Sequence, residues 1–286
     1  MTSLPTKNGN NVVAPHAVIL GAGASIAMTM LNEEKFGKKL PSMDNLVEIV
    51  GLEILLNKHD IEYRGKNFET LFEELKFNPK YNELCNEIEK QIYEYFASME
   101  ISSDLTIYDY LIMSLSKNDA IATFNWDPFL IQSLARCSTY THNLPRLIHL
   151  HGNTGVGICY QDRVVGHVWA KCGTCKNSLE PTPLLYPVGK KDYTANRWLK
   201  DEWNTIHDYL KESFYVTIFG YSAPVSDIEA KNLLLKVWKE NRSQELAQME
   251  IIDIRSHEDL YDTWKDFIVR DHYTIKNDIF NSYLFR

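Results

Sequence analysis

The sequence predicts an α/β fold: a Rossmann-like parallel sheet with helices on both faces, plus a helical insertion module. Three observations predict it. Short runs that are apolar on both faces recur along the chain, as buried parallel strands require. Several of these runs end in Gly-rich turns or helix-start residues, and stretches with apolar residues at helical spacing lie between them. At 286 residues the chain is long enough for one large or two unequal domains. With 44% hydrophobic, 24% charged and 12% aromatic residues it is a folding sequence and not a disordered one.

Residues 1 to about 14 read as a polar N-terminal tail, and 15–286 as one nucleotide-binding domain. Ala17-Val18-Ile19-Leu20 is the first strand, Gly21 to Ser25 a turn, and Ile26, Ala27, Met30 and Leu31 the start of a helix. A helical insertion spans about 44–112. Phe68, Leu71, Phe72 and Leu75 give one amphipathic helix there, and Leu84, Ile88, Ile92 and Phe96 give a second after Pro79. Strands return with Ala120 to Phe124, Arg146 to Leu150 and Phe214 to Phe219, and Met249 to Ile254 is expected to be the last. Asp127 precedes Pro128, a proline suited to the first helical position. Ser226 with Glu229 forms a capping box, and Ser256 with Asp259 a weaker one. Leu260, Trp264, Phe267 and Ile268 then share a helical stripe. The stretch from about 153 to 200 is irregular, either a small module or a functional segment over the sheet edge.

Lys plus Arg number 30 against 38 Asp plus Glu, a formal charge of −8, so no electrostatic footprint for direct nucleic-acid binding exists. Five cysteines suit free thiols or a partial metal site in a reducing cytoplasm better than a disulfide framework. The longest nearly uncharged stretch, Ala17 to Leu31, is too short for a confident membrane span and a poor signal peptide, so no membrane association and a cytoplasmic location are expected.

The candidate site residues all fall where strands end. Gly21-Ala22-Gly23-Ala24-Ser25 follows a strand and opens a helix, where small residues let amides and the helix dipole approach a pyrophosphate; a bare Gly-x-Gly is also an ordinary tight turn. Asn125 and Asp127 leave the second strand at the edge where open α/β sheets bind ligands, and an Asx turn accounts for the same residues. His149 and His151 leave the third, on the same face if the strand alternation continues. The strand-end position and Gly152 favour His151 as a base. Ser222 follows the fourth strand, with Asp227 downstream. Asp253 interrupts the last apolar run, where a carboxylate either accepts from a ribose diol or is simply solvated.

Taken in this order, strand-Gly-Ala-Gly-Ala-Ser, Thr123-x-Asn125-x-Asp127, His151-Gly152, Gly220-x-Ser222 and a final Ile251-Ile252-Asp253 strand resemble the sirtuin fold family over about residues 15–260. The resemblance implies NAD lying across the sheet edge. Gly21, Ala22, Gly23 and Ser25 then hold the pyrophosphate, Asn125 fixes the nicotinamide ribose and a water, and Asp127 faces the carboxamide. His151 is the base, and Ser222 and Asp253 contact phosphate or the adenosine ribose.

Two departures point to a branch. The Pro-Asp-Phe-Arg segment of deacetylating sirtuins is replaced by Ile26-Ala27-Met28-Thr29-Met30. The following Leu40-Pro41-Ser42-Met43-Asp44-Asn45-Leu46 is similar to sirtuin-like domains of bacterial antiphage proteins, which hydrolyse NAD. The zinc module is incomplete as well. Cys172-Gly173-Thr174-Cys175 resembles one Cys-x-x-Cys pair, while the other is reduced to Cys159 with Asp162. Three thiolates with Asp162 or His167 can bind zinc, and a degenerated remnant explains the same residues; no metal is expected. Tyr186-Pro187-Val188-Gly189-Lys190 stands where a deacetylase carries its substrate strand motif.

The resemblance therefore implies an NAD glycohydrolase that cleaves NAD to nicotinamide and ADP-ribose and depletes the cofactor in antiphage, abortive-infection defence. It implies a homo-oligomer gated by a partner, a hexameric HerA-type ATPase among the candidates. A protein deacylase and a non-catalytic NAD or ADP-ribose sensor are the alternatives.

Overall fold

A computed structural model of the chain describes residues 14–30, 37–187, 193, 196–224 and 227–285. The expected tail up to residue 13, Leu31, the Ser226 half of a capping box, and Val188 to Lys190 lie outside them.

The chain begins with β1 (His16–Leu20) and α1 (Ala22–Met30). A run of helices follows: α2 (Leu46–Val50), α3 (Glu53–Lys58), α4 (Phe68–Lys76), α5 (Asn82–Ala97) and α6 (Ile107–Met113). The chain then returns to the sheet with β2 (Ala120–Thr123), α7 (Phe129–Cys137) and β3 (Arg146–His149). Next come three short strands, β4 (Val156–Cys159), β5 (Val164–His167) and β6 (Glu180–Pro181). The last part holds α8 (Arg197–Glu212), β7 (Tyr215–Phe219), α9 (Ile228–Trp238), β8 (Gln248–Ile252), α10 (His257–Trp264) and β9 (Tyr273–Lys276).

Six strands pair in parallel in the order β3-β2-β1-β7-β8-β9, and β5-β4-β6 form a separate antiparallel sheet. The expected doubly covered α/β sheet is therefore the observed one. Its two faces bury alternate residues of the same strand: Val18 and Leu20 pack under the helical insertion, Ala17 and Ile19 under α8 and α9. The apolar stripes of α4 and α5 are buried as the spacing predicts, with Phe68, Leu71, Phe72, Leu75, Leu84, Ile88, Ile92 and Phe96 all in one core.

Four expectations need correction. Met249 to Ile254 is not the last strand, since β9 adds an edge strand whose residues are all half-buried and so carry no apolar run. That strand also ends at Ile252, leaving Asp253 past the ladder and Ile254 exposed. In α1 the buried face is Ala24, Ser25 and Met28, whereas Met30 is exposed, because the helix begins at Ala22 and its small residues face the sheet. Pro128 is the N-cap of α7 and not its first residue, with the Phe129 amide donating to Asp127 Oδ1 at 3.3 Å.

A tight backbone approach seats α1. The Gly21 amide donates to the Phe219 carbonyl and the Gly23 amide to the Gly220 carbonyl, at 3.1 and 2.9 Å. A Cβ on Gly23 would lie 2.8 Å from Gly220 Cα, and one on Gly220, which has φ +61°, would lie 2.2 Å from the Ala24 nitrogen. Glycine is required at both for steric reasons, and at Gly220 for conformational ones too. In the middle of β8 the buried Glu250 accepts from Ser282 Oγ at 2.6 Å and from the Tyr283 amide at 3.2 Å, which fastens the turns after β9 to the sheet. Gly220→Ala is expected to destabilise the fold by roughly 3 kcal/mol through overpacking and a strained backbone, read as a lower urea midpoint, whereas Gly173→Ala, in open space, leaves it unchanged.

Candidate active site at the carboxyl edge of the sheet

The carboxyl ends of β3, β2, β1, β7 and β8 carry, in that spatial order, His151, Asn125 with Asp127, Gly21 to Ser25, Gly220 to Ser222, and Asp253. Open parallel sheets place their ligand crevices along this edge. The side chains there fall into three groups.

The first group is built around Ser25, 1% exposed. Its hydroxyl donates to Asp127 Oδ2 at 2.7 Å and accepts from Asn125 Nδ2 at 2.9 Å. Tyr108 Oη lies 2.6 Å from the same oxygen, and because the Ser25 proton is committed to the carboxylate, Tyr108 is the donor. Asn125 Nδ2 also donates to the Gly21 carbonyl at 2.8 Å, which fixes the amide's orientation, since a carbonyl only accepts. Its Oδ1 is the acceptor left over. Burial pushes the Asp127 carboxyl up to about 6, against hydrogen bonds from Ser25 and the Phe129 amide that pull it down. Burial and the Asp127 charge raise the Tyr108 phenol, so it stays protonated.

Tyr108 escaped the sequence reading. It sits in α6, whose start is set by a Thr106–Asp109 capping box and whose flank is tied to α7 by the Arg136 guanidinium on both Asp109 oxygens. The only sequence signal was the cap; nothing indicates that the phenol reaches Ser25, 83 residues away.

The second group surrounds His151, 6% exposed. Its ring meets Phe124 edge-on at 4.8 Å and lies parallel to Tyr193 at 6.4 Å, and its Nε2 faces Asp227 Oδ1 at 3.7 Å. His149 does not share this environment. β3 ends at His149, and the Gly152 amide donates back to the His149 carbonyl at 3.3 Å, closing a turn through Leu150 and His151, so strand alternation does not extend to His151. The His149 amide and Nδ1 lie 2.6 and 3.5 Å from Glu202 on α8, and Arg146 reaches the same carboxylate, a structural assignment for that histidine. Phe124 and Asn125 are adjacent in the chain, so the β2 end presents one side chain to each group.

The third group lies beyond β8. Asp253 is held by the Arg255 Nε and Nη2 at 3.2 and 3.1 Å. The two residues line a cavity of about 500 Å³ with His257, Lys276, Asn277 and Asn281. Ser222 is exposed after Tyr221, and Ala22 is exposed at the head of α1, whereas the Gly21 and Gly23 amides are spent on the β7 turn.

Apart from the crevice, Cys159, Asp162, Cys172 and Cys175 bring their ligand atoms within 4.8 Å of one another beside the β4–β6 sheet. Asp162 Oδ2 lies 3.5 Å from Cys159 Sγ and 3.2 Å from Cys172 Sγ, and Cys159 Sγ is 3.6 Å from Cys175 Sγ. His167, the other sequence candidate, turns its Nδ1 to the Val168 carbonyl instead. Three thiols and a carboxylate at tetrahedral reach match the donor chemistry of a closed zinc site.

No protein-family model and no curated protein matches this chain. Solved structures that it resembles include a Sir2 enzyme with a deacetylated p53 peptide and 3′-O-acetyl ADP-ribose, at 11% identity and a TM-score of 0.44, over 95% of this chain and 89% of the other. A Sir2 homolog–NAD complex matches at 16% identity and a TM-score of 0.43, over 92% and 84%. A further Sir2 structure, solved for the mechanism and regulation of these enzymes, matches at 15% and 0.40, over 89% and 92%. Among the described residues no helix is long and apolar enough to cross a membrane.

The Asp127 carboxyl binds its proton more tightly in the folded chain than in the unfolded one, so it adds stability at acid pH and loses it as the pH rises from about 4 to about 6. Two pH units correspond to roughly 3 kcal/mol for a fully buried group. Urea titrations at pH 4, 5, 6 and 7 should show this downward component in the native chain. It should be missing in Asp127→Asn, which keeps an acceptor for Ser25.

Proposed function

We propose that the chain is an NAD glycohydrolase that cleaves NAD to nicotinamide and ADP-ribose. The observation that carries this reading is the fixed Asn125 amide, buried at the strand-edge crevice, with both of its donors committed and Oδ1 left to orient a water. Nicotinamide leaves as a neutral base from a cationic ring, so the reaction passes through an oxocarbenium-like ribose and asks little of its nucleophile. Positioning one water and removing its proton is enough, and Asn125 and His151 supply those two roles. Asp127, with its raised pKa, suits the nicotinamide carboxamide, as its protonated form donates and its ionised form accepts. The diphosphate lies over exposed Ala22 at the head of α1, with Ser222 at its side, while Gly21, Gly23 and Ser25, engaged within the protein, shape the turn beneath it. The adenosine takes the cavity beside Asp253.

Water as the acceptor is favoured over an acylated lysine by the packing at His151. Phe124 and Tyr193 cover the imidazole, which restricts the approach of a peptide side chain to it. The burial of Asn125, Asp127 and His151 also fits an enzyme held closed until a signal opens it. A homo-oligomer, a HerA-type ATPase partner and a role in antiphage defence follow from the sequence resemblance and belong to the same proposal. Three thiolates and Asp162 gathered at one point support a structural zinc in the small sheet, over a degenerated remnant.

Purified protein incubated with NAD should release nicotinamide without any acylated peptide. Asn125→Ala and His151→Ala should each lower the rate by about 10²-fold or more. Release that requires an acetylated peptide would identify a deacylase, and tight NAD binding with no release under any condition would identify a sensor. Metal analysis should find close to one zinc per chain. Cys172→Ser should lose the metal and lower the melting temperature.

A further inference from the structure

The cavity beyond β8 runs against the charge of the chain. The sequence carries a formal −8, yet this space of about 500 Å³ is lined by two full cations, Arg255 and Lys276, and the His257 imidazole against the single carboxylate of Asp253. Strand ends build it. Asp253 follows β8 and Lys276 closes β9, and the Asp253 amide donates to the Lys276 carbonyl at 3.0 Å, so the two residues stand side by side at the carboxyl edge of the sheet.

The carboxylate has little left to give. Asp253 Oδ1 accepts from the Arg255 amide at 3.0 Å and from Arg255 Nε at 3.2 Å, and Oδ2 accepts from Arg255 Nη2 at 3.1 Å. Both lone pairs of Oδ1 are thereby used and one remains on Oδ2, whereas a ribose diol brings two hydroxyl protons to be accepted. The surplus lies with the donors. Of the five guanidinium N–H groups two go to Asp253, and among the described residues none forms an ion pair with the Lys276 amine. Asn277 and Asn281 add side-chain amides to the same lining. Positive charge and free N–H groups around one space suit a phosphate monoester, which has three acceptor oxygens and carries close to two negative charges. In parallel sheets that bind dinucleotides, an acidic residue past a strand takes the adenosine 2′-hydroxyl, and an arginine there accommodates a 2′-phosphate. This chain has both, and has paired the acid to the arginine.

We propose that the cavity takes a phosphate on the 2′ position of the adenosine ribose, so that NADP is a substrate alongside NAD, with Arg255 and Lys276 as the residues that determine this specificity. The proposal rests on the hydrolase reading for its reaction and on the adenosine lying beside Asp253 for its placement. Asp253 holds the guanidinium in place, and Lys276 brings the second charge from the neighbouring strand. The chemistry at the far end of the dinucleotide is unchanged: a water oxygen bonds to C1′ of the nicotinamide ribose, the electron pair of the broken C1′–nitrogen bond stays on nicotinamide, and one proton is released. The products are nicotinamide and 2′-phospho-ADP-ribose.

Calorimetry on the full chain tests the subsite without turnover. Adenosine 2′,5′-bisphosphate should bind at least about tenfold more tightly than AMP, as one charge-assisted contact or more would give, and the preference should shrink at high salt. The 3′,5′ isomer has the same charge and should bind more weakly than the 2′,5′ compound. Lys276→Gln and Arg255→Gln should each cost the 2′,5′-bisphosphate about tenfold more affinity than they cost AMP, and nicotinamide should be released from NADP as well as from NAD. Equal binding of AMP and the 2′,5′-bisphosphate, or of the two bisphosphate isomers, overturns the proposal. So does inorganic phosphate binding as tightly as the 2′,5′-bisphosphate, which would make the cavity a free-anion site. Release of nicotinamide from NAD without any preference for the 2′-phosphate leaves the hydrolase reading and removes this one. A clear preference that both variants abolish, in a chain that cleaves neither dinucleotide, sinks the hydrolase reading and leaves the 2′-phosphate subsite standing.

Discussion

Everything at the crevice depends on the contact of two backbones at the ends of neighbouring strands. The β1–α1 turn lies against the β7 turn so closely that a methyl group at Gly23 or Gly220 would overlap main-chain atoms. That approach fixes where α1 begins, and the start of α1 fixes Ser25. From there the order is forced: Ser25 has one proton and gives it to Asp127, so Tyr108 must donate to Ser25, and Asn125 must turn its amide nitrogen inward. A fully satisfied buried hydroxyl network of this kind tolerates no partial loss, because each removed member leaves a donor or acceptor unpaired. The helical insertion enters the site by the same route. Asp109 and Arg136 clamp α6 to α7, and the clamp is what brings Tyr108 to the sheet edge.

The central strands were legible in the sequence because burial on both faces leaves them no choice but an apolar run. The helices of the insertion were legible because each keeps one clean stripe. Where burial is partial the signal fades. Tyr273-Thr274-Ile275-Lys276 is half-buried throughout, so as an edge strand it looks like any polar segment. The β4–β6 sheet is disguised by glycines. A Cβ on Gly157 would come within 2.8 Å of Val168 Cα, so close packing there calls for residues that otherwise read as loop. Helix α8 did carry a signal, Trp198, Leu199, Trp203, Ile206 and Leu210 at helical spacing, which the irregular stretch before it obscured.

The site divides the same way. Residues at strand ends were found because topology sends them to one edge whatever the details. What each does once there depends on contacts between distant parts of the chain, and spacing holds no record of these. Tyr108 meets Ser25 from 83 residues away, and Asp227 faces His151 from 76. His149 and His151 look alike in sequence and are separated by the turn that the Gly152 amide closes on the His149 carbonyl. The choice of Asp162 over His167 beside the cysteines was equally beyond spacing, since it is made by the fold of the small sheet.

That small sheet is not a passive appendage. A Cβ on Gly152 would fall 2.0 Å from the Pro183 carbonyl, and the Leu185 amide donates to the His151 carbonyl at 2.9 Å. Thr182 and Asn153 exchange two more hydrogen bonds, at 3.3 and 2.9 Å. The strap that leaves β6 is thus joined to the backbone from His151 to Asn153, while β6 itself is paired to β4, which ends in Cys159. The cysteine knuckle and the backbone that carries the His151 imidazole thus belong to one continuous hydrogen-bonded frame, joined through a single strand pairing and a single strap.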